Sequence, residues 1–208
     1  ATQLMRSVVE KAPEWAHGHS KLAEALVLAH GSDGCGEARS VAMRSLELDP
    51  NTAGAYLVLG VCDQIDRKWT EAETSLRRAI ELDDGLDRAH VEYGLLLDFQ
   101  RRFAEAEVHL KKALELEPFS PYYNVVLCQH YYYDRKFSEA LQYCERSQTI
   151  EPNYFLAIKR LYWIYVMQGR WDEVLKLAYG EKPEIEAGKD PLLRPLIDAR
   201  IGVETMAT

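Results

Sequence analysis

The sequence predicts an all-α protein: a solenoid of antiparallel helix pairs, about five pairs long, closed by a C-terminal capping helix. Three observations predict it. The stretches SVAMRSLELDPN (40–51), ETSLRRAIELDDG (73–85), EVHLKKALELEPFS (107–120) and QYCERSQTIEPN (142–153) share one pattern, and their anchors Pro50, Asp84, Pro118 and Pro152 are evenly spaced, with a period of 34. A fixed period of that length marks stacked supersecondary units. Within each period, apolar residues recur at i, i+3, i+4 and i+7 in two runs, the sign of two amphipathic helices. Small residues and turn aromatics recur at constant register between those runs.

The elements follow in order. LMRSVVEKAP (4–13) reads as the second helix of a preceding or truncated unit, so residues 1–13 stand apart from the main array of 14–180. The units of that array are about 16–52, 53–86, 87–120, 121–154 and 155–180. The interval from Pro13 to Pro50 is longer than the period by three, which places an insertion in the first unit, within GSDGCG (31–36). In the second unit Tyr56, Leu59, Gly60 and Asp63 mark one helix, and Ala72, Leu76, Ala79 and Ile80 the next, with RKW (67–69) between them. Leu22-Ala23, Leu59-Gly60, Tyr93-Gly94 and Leu127-Cys128 pair a large residue with a small one in each first helix. Ala38, Ala72, Ala106 and Ala140 put a small residue early in each second helix. Small side chains at facing positions let two helices approach closely. Trp69, Phe103, Phe137 and Trp171 plug the turn between helices. Each second helix ends on an acidic residue, usually followed by Pro, which cannot continue a helix. The fifth unit departs from this: Val174 replaces the small residue and no Pro closes it. In 181–208 a Pro/Gly-bearing linker precedes PLLRPLIDARIGVETM (191–206), a helical pattern suited to capping the last apolar face; the start of another repeat is the rival reading.

The endings LELDP, IELDD, LELEP and TIEP, with the small-residue ladder and the turn aromatics, resemble the tetratricopeptide repeat family. The resemblance covers about four fifths of the chain and implies a right-handed superhelix. It further implies that the first helix of each unit lines a concave groove. By register the groove residues are Leu57, Val58 and Val61, then Arg88, Val91, Leu95 and Phe99, then Tyr122, Val126, Gln129, Tyr132 and Tyr133, then Lys159, Arg160 and Trp163. The same residues have a competing use in packing against the neighbouring first helix, or beneath the C-terminal segment. Chaperone-adaptor members of the family grip an acidic C-terminal tail with a Lys/Asn/Arg clamp. Here Ser20, Glu24 and Val58 occupy three of those positions and only Arg88 matches, so the clamp is not expected.

Composition narrows the function. The 208 residues are 47% hydrophobic and 28% charged with a formal net charge of −8, which lacks the basic footprint that nucleic acid or an anionic membrane would favour. No apolar run reaches the length of a membrane span. The chain opens at Ala1 rather than Met, which reads as a fragment of a longer protein. Cys35, Cys62, Cys128 and Cys144 form no CxxC pair or zinc spacing, so they read as packing residues rather than a disulfide framework. Reduced thiols would suit a cytoplasmic location, with an exported or periplasmic domain of a larger chain as the alternative. His17 and His19 are two apart and point to different helix faces, a poor start for a metal site. Phosphate loops, HExxH and GxSxG are missing. The many carboxylates recur at repeat register, as solvated helix faces do; Glu105, Glu107, Lys111 and Lys112 read mostly as the wet face of one second helix. The expectation is a non-catalytic scaffold without a cofactor, with a protein or peptide partner and no direct nucleic-acid or membrane contact. Self-association through the N-terminal helix is a further option. A weaker likeness to the C-terminal repeat regions of bacterial winged-helix transcriptional regulators gives the alternative, a sensor module of a larger chain.

Overall fold

A computed structural model describes residues 2–179, with side chains to Leu177. The linker and capping helix expected in 181–208 lie outside the described residues. Helix α1 is Thr2–Lys11. Five antiparallel pairs follow: α2 (Ala16–His30) with α3 (Cys35–Leu48), α4 (Ala53–Ile65) with α5 (Trp69–Leu82), α6 (Asp87–Phe99) with α7 (Phe103–Leu116), α8 (Pro121–Tyr133) with α9 (Phe137–Ile150), and α10 (Phe155–Gln168) with α11 (Trp171–Tyr179). The first helices after α2 start at Ala53, Asp87, Pro121 and Phe155, evenly spaced at the period of the sequence pattern. The described residues contain no strand. The insertion in the first unit appears as a longer α2 and a 3-10 turn at Gly31–Gly34.

The turns inside the last four pairs are built alike. Arg67, Arg101 and Arg135 have φ of 61°, 62° and 62°, and Gly169 has φ of 67°. Each is the left-handed residue that stops a first helix. In the second unit Arg67 N–H donates to Gln64 O at 3.0 Å and Lys68 N–H to Asp63 O at 2.8 Å, two bonds that satisfy carbonyls the helix end leaves over. The next residue but one is the turn aromatic, and Trp69, Phe103, Phe137 and Trp171 open α5, α7, α9 and α11. Each of α3, α5, α7 and α9 ends at Asp49, Asp83, Glu117 or Glu151, which leaves the helical backbone with its N–H still bonded to the carbonyl of Ser45, Ala79, Ala113 or Ser147. Entry to α8 is set by Ser120, whose hydroxyl oxygen accepts from Tyr123 N–H at 3.2 Å, with Pro121 at the first helical position.

The core runs along the array. Ala38, Ala72, Ala106 and Ala140 are all fully buried. A Cβ added to Gly60 would sit 2.6 Å from Cγ of Leu76, and one added to Gly94 would sit 2.6 Å from Cγ of Leu110. At those two positions the first helix must present a bare backbone to the leucine of the second.

The fourth unit fills the same register differently, and here the sequence expectation is corrected. Cys128 and Cys144, one full period beyond Gly94 and Leu110, form a disulfide with Cα atoms 5.4 Å apart. They are not merely packing residues. Spacing along the chain hid the pair, because the two cysteines have a sequence separation of 16 and lie on different helices. Superposing the repeats would have placed them face to face. Cys35 and Cys62 are buried free thiols, as expected, and Cys35 occupies the place the turn aromatic takes in later units.

The wet face of α7 also needs correction. Glu107 accepts the Tyr131 hydroxyl at 2.9 Å and the Lys111 ammonium at 2.6 Å, so it staples one unit to the next. Its counterparts do the same with other partners. Arg39 reaches Asp63 at 2.7 Å and Asp66 at 2.8 Å, while Glu73 receives Arg102 at 2.8 Å, Tyr93 at 3.2 Å and Gln100 at 3.3 Å.

Candidate functional site

First helices touch across units, α2 to α4, α4 to α6, α6 to α8 and α8 to α10. Their neighbour-facing sides are therefore core, and only their remaining sides form an open inner surface. This divides the predicted groove residues. Leu57, Val58, Val91 and Val126 are at most 4% exposed and belong to the core clusters, so they pack between helices instead of facing a groove. Val61, Leu95 and Tyr132 are half-buried and pack against the same clusters. Phe99, Tyr122, Tyr133, Lys159 and Trp163 are exposed.

Three of the polar groove residues are already engaged. Arg88 lies 3.8 Å from Glu92 on the same helix, and burial raises the Glu92 carboxyl while Arg88 opposes that rise. Arg160 donates to Gln129, tying α10 to α8. Tyr122, near Glu92, has its phenol pushed up to about 12, first by burial and then by that carboxylate. The clamp positions offer little: Ser20 is fully buried, and Glu24 accepts Lys21 at 3.0 Å.

A cavity of about 620 Å³ opens where the last turns of α4, α6 and α8 meet. Its wall is mainly apolar and aromatic: Ile65, Trp69, Leu95, Phe99, Phe103 and Tyr133. Trp69 and Phe99 stack with centroids 4.5 Å apart. Asp98 also lines it and pairs with His130, Oδ1 to Nδ1 at 2.6 Å, below the surface. Sequence register named Leu95, Phe99, Gln129 and Tyr133 but missed Asp98 and the turn aromatics Trp69 and Phe103 as parts of this lining. The signal for Asp98 was a lone acid at the end of an otherwise apolar helix face.

Two histidines that the sequence did not single out, the buried His90 and the half-buried His109, form a second pair. His90 Nδ1 and His109 Nδ1 are 3.0 Å apart, and His90 Nε2 lies 3.1 Å from Asp84 O. Among the described residues no group of three or more His, Cys, Asp or Glu side chains is placed to hold a metal ion, and no helix is long and apolar enough to cross a membrane.

Residues 87–120 match the model of the tetratricopeptide repeat. With the repeated turns, caps and helix pairs around that unit, the fold is a solenoid of tetratricopeptide-repeat type. Solved structures share the fold. YrrB, described as a TPR protein with an unusual peptide-binding site, is 18% identical with a TM-score of 0.63, over 96% of this chain and 100% of that one. PilW, a widely conserved type IV pilus biogenesis factor, is 16% identical with a TM-score of 0.73, over 93% and 87%. Pseudomonas aeruginosa pilF is 23% identical with a TM-score of 0.68, over 81% and 77%. At these identities the likeness is one of fold. Comparison with curated protein sequences gives no match.

Proposed function

We propose that this protein is a non-catalytic scaffold that holds a peptide or helix of another protein along the inner surface of its first helices. The repeat fold supports an interaction scaffold in general. The observation that carries the finer reading is the row of exposed aromatic side chains on that surface: Phe99 at 66%, Tyr133 at 43% and Trp163 at 41% exposure. Large apolar groups clustered on an open concave face favour a partner over water, and a helix or extended segment matches the shape of such a face. Among the described residues the buried His130–Asp98 pair has no Ser, Thr or Cys hydrogen-bonded to it, and it joins α8 to α6, which supports a structural role over a catalytic one. The regulator alternative gains nothing from the described residues. The cytoplasmic location drawn from reduced thiols loses that support at Cys128 and Cys144, because disulfides persist in oxidising compartments.

The test is selection of displayed random peptides on the protein, followed by binding of the winners to a Phe99→Ser/Tyr133→Ser double variant. Both changes are at exposed positions, and the variant should keep its helical circular dichroism. Winners should lose at least about tenfold in affinity on it, roughly 1.4 kcal/mol. Peptides that bind both proteins equally would place the site elsewhere, and a selection without winners would count against a peptide scaffold.

A further inference from the structure

The cavity between α4, α6 and α8 has aromatic walls and an acid beneath them. Asp98 is 5% exposed, and while its Oδ1 is taken by His130, its buried Oδ2 has no hydrogen-bond partner among the described residues. A buried carboxylate oxygen without a donor is disfavoured unless its charge is compensated. The stacked Trp69 and Phe99 and the ring of Tyr133 line the same space. Aromatic faces carry negative potential and attract cations. Two independent features thus favour one sign of charge. An anion would be repelled by both, and a neutral side chain would bring no charge to balance the unpartnered Oδ2 of Asp98.

We propose that this cavity is a subsite for a cationic side chain, lysine or arginine, carried by a basic segment of a partner protein. The proposal rests on the scaffold reading above and adds the partner's charge to it. The cation need not touch Oδ2, because a charge acts through a low-dielectric wall far more strongly than through water. The methylene stem would lie along Ile65 and Leu95, as long charged side chains do on apolar surfaces. The net charge of −8 helps to draw a basic segment in. Arg101 on the rim is a cation that opposes the guest, and its guanidinium is held 5.7 Å over the Phe103 ring instead of over Trp69 or Tyr133.

The test titrates the protein with Nα-acetyl-lysine N-methylamide and with its uncharged norleucine counterpart, following the Trp69 indole N–H by two-dimensional NMR. The lysine probe should shift that signal saturably and bind at least about tenfold more tightly than the norleucine probe. Asp98→Asn keeps the side-chain shape and an acceptor for His130, and should abolish the preference. Tyr133→Leu, at an exposed position, should weaken the lysine probe without disturbing the buried pair, which keeps the test decisive if Asp98→Asn unfolds. Equal binding of the two probes, or a preference that survives in a folded Asp98→Asn protein, overturns the subsite. Displayed peptides that win selection without lysine or arginine would also overturn it while leaving the scaffold standing. If no peptide wins, the scaffold reading fails and the probe comparison still decides the subsite.

Discussion

Replacing Gly94 by Ala sets two effects against each other inside one helix pair. The new Cβ would lie 2.4 Å from Cδ2 and 2.6 Å from Cγ of Leu110, and 3.4 Å from the Ala106 carbonyl oxygen. Leu110 is 1% exposed and packed within the core, so the overlap costs about 1–3 kcal/mol. Ala is better than Gly within a helix by about 1 kcal/mol. The net expectation is a loss of up to about 2 kcal/mol. Leu110→Ala alone should cost about 2–5 kcal/mol by opening a cavity. In that background the methyl of Gly94→Ala enters vacated space, and the substitution should stabilise by about 1–2 kcal/mol, from helix propensity and one buried carbon. The sign of the Gly94→Ala effect thus reverses, a coupling of about 1–4 kcal/mol. The assay is urea unfolding of the four proteins by far-ultraviolet circular dichroism, comparing midpoints and slopes. Slopes matter because a repeat array unfolds cooperatively only while its neighbouring interfaces hold. A Gly94→Ala effect of the same sign and size in both backgrounds would refute the argument from helix approach.

Two further predictions concern charge and backbone. Burial, and then His90 at 3.0 Å, hold the His109 imidazole below its ordinary value, against the opposing carboxylates of Glu105 and Asp84. The unfolded chain therefore binds more protons, so this contribution is fully present above about pH 6.5 and is lost as pH falls through the lowered folded value. The urea midpoint of the native protein should fall from about pH 7.5 to about pH 5.5 more steeply than that of His109→Gln; equal slopes would refute the assignment. Arg67, exposed and left-handed at φ 61°, stands where the fifth unit has Gly169. Relief of about 1–2 kcal/mol of backbone strain, less about 0.5–1 kcal/mol for the freer unfolded glycine, leaves Arg67→Gly more stable by about 0.5–1 kcal/mol. A lowered urea midpoint would show that the arginine is not strained.

What the sequence by itself determined is local and periodic. The constant period, the two helices per unit, the aromatic that opens α5, α7, α9 and α11 and the acidic residue that ends α3, α5, α7 and α9 stand at the expected positions, because caps, turns and amphipathic spacing depend on residues a few positions apart. The candidate site was legible only in part. Register placed Phe99 and Tyr133 on the inner surface, where they stand exposed, but it also placed Leu57, Val58, Val91 and Val126 there, which are buried. Neighbouring positions on one helix differ in exposure according to what packs beside them, and each inner helix is flanked by its partner and by the first helices of adjacent units. The tertiary structure alone decided the rest. It brought Asp98 and His130 together from distant positions in the chain, joined Cys128 to Cys144 where the second and third units set a glycine against a leucine, and turned Glu107 from surface charge into an inter-unit contact. Period and pattern specify each helix and its turn. The use of a given side chain depends on the residue that the next unit places against it.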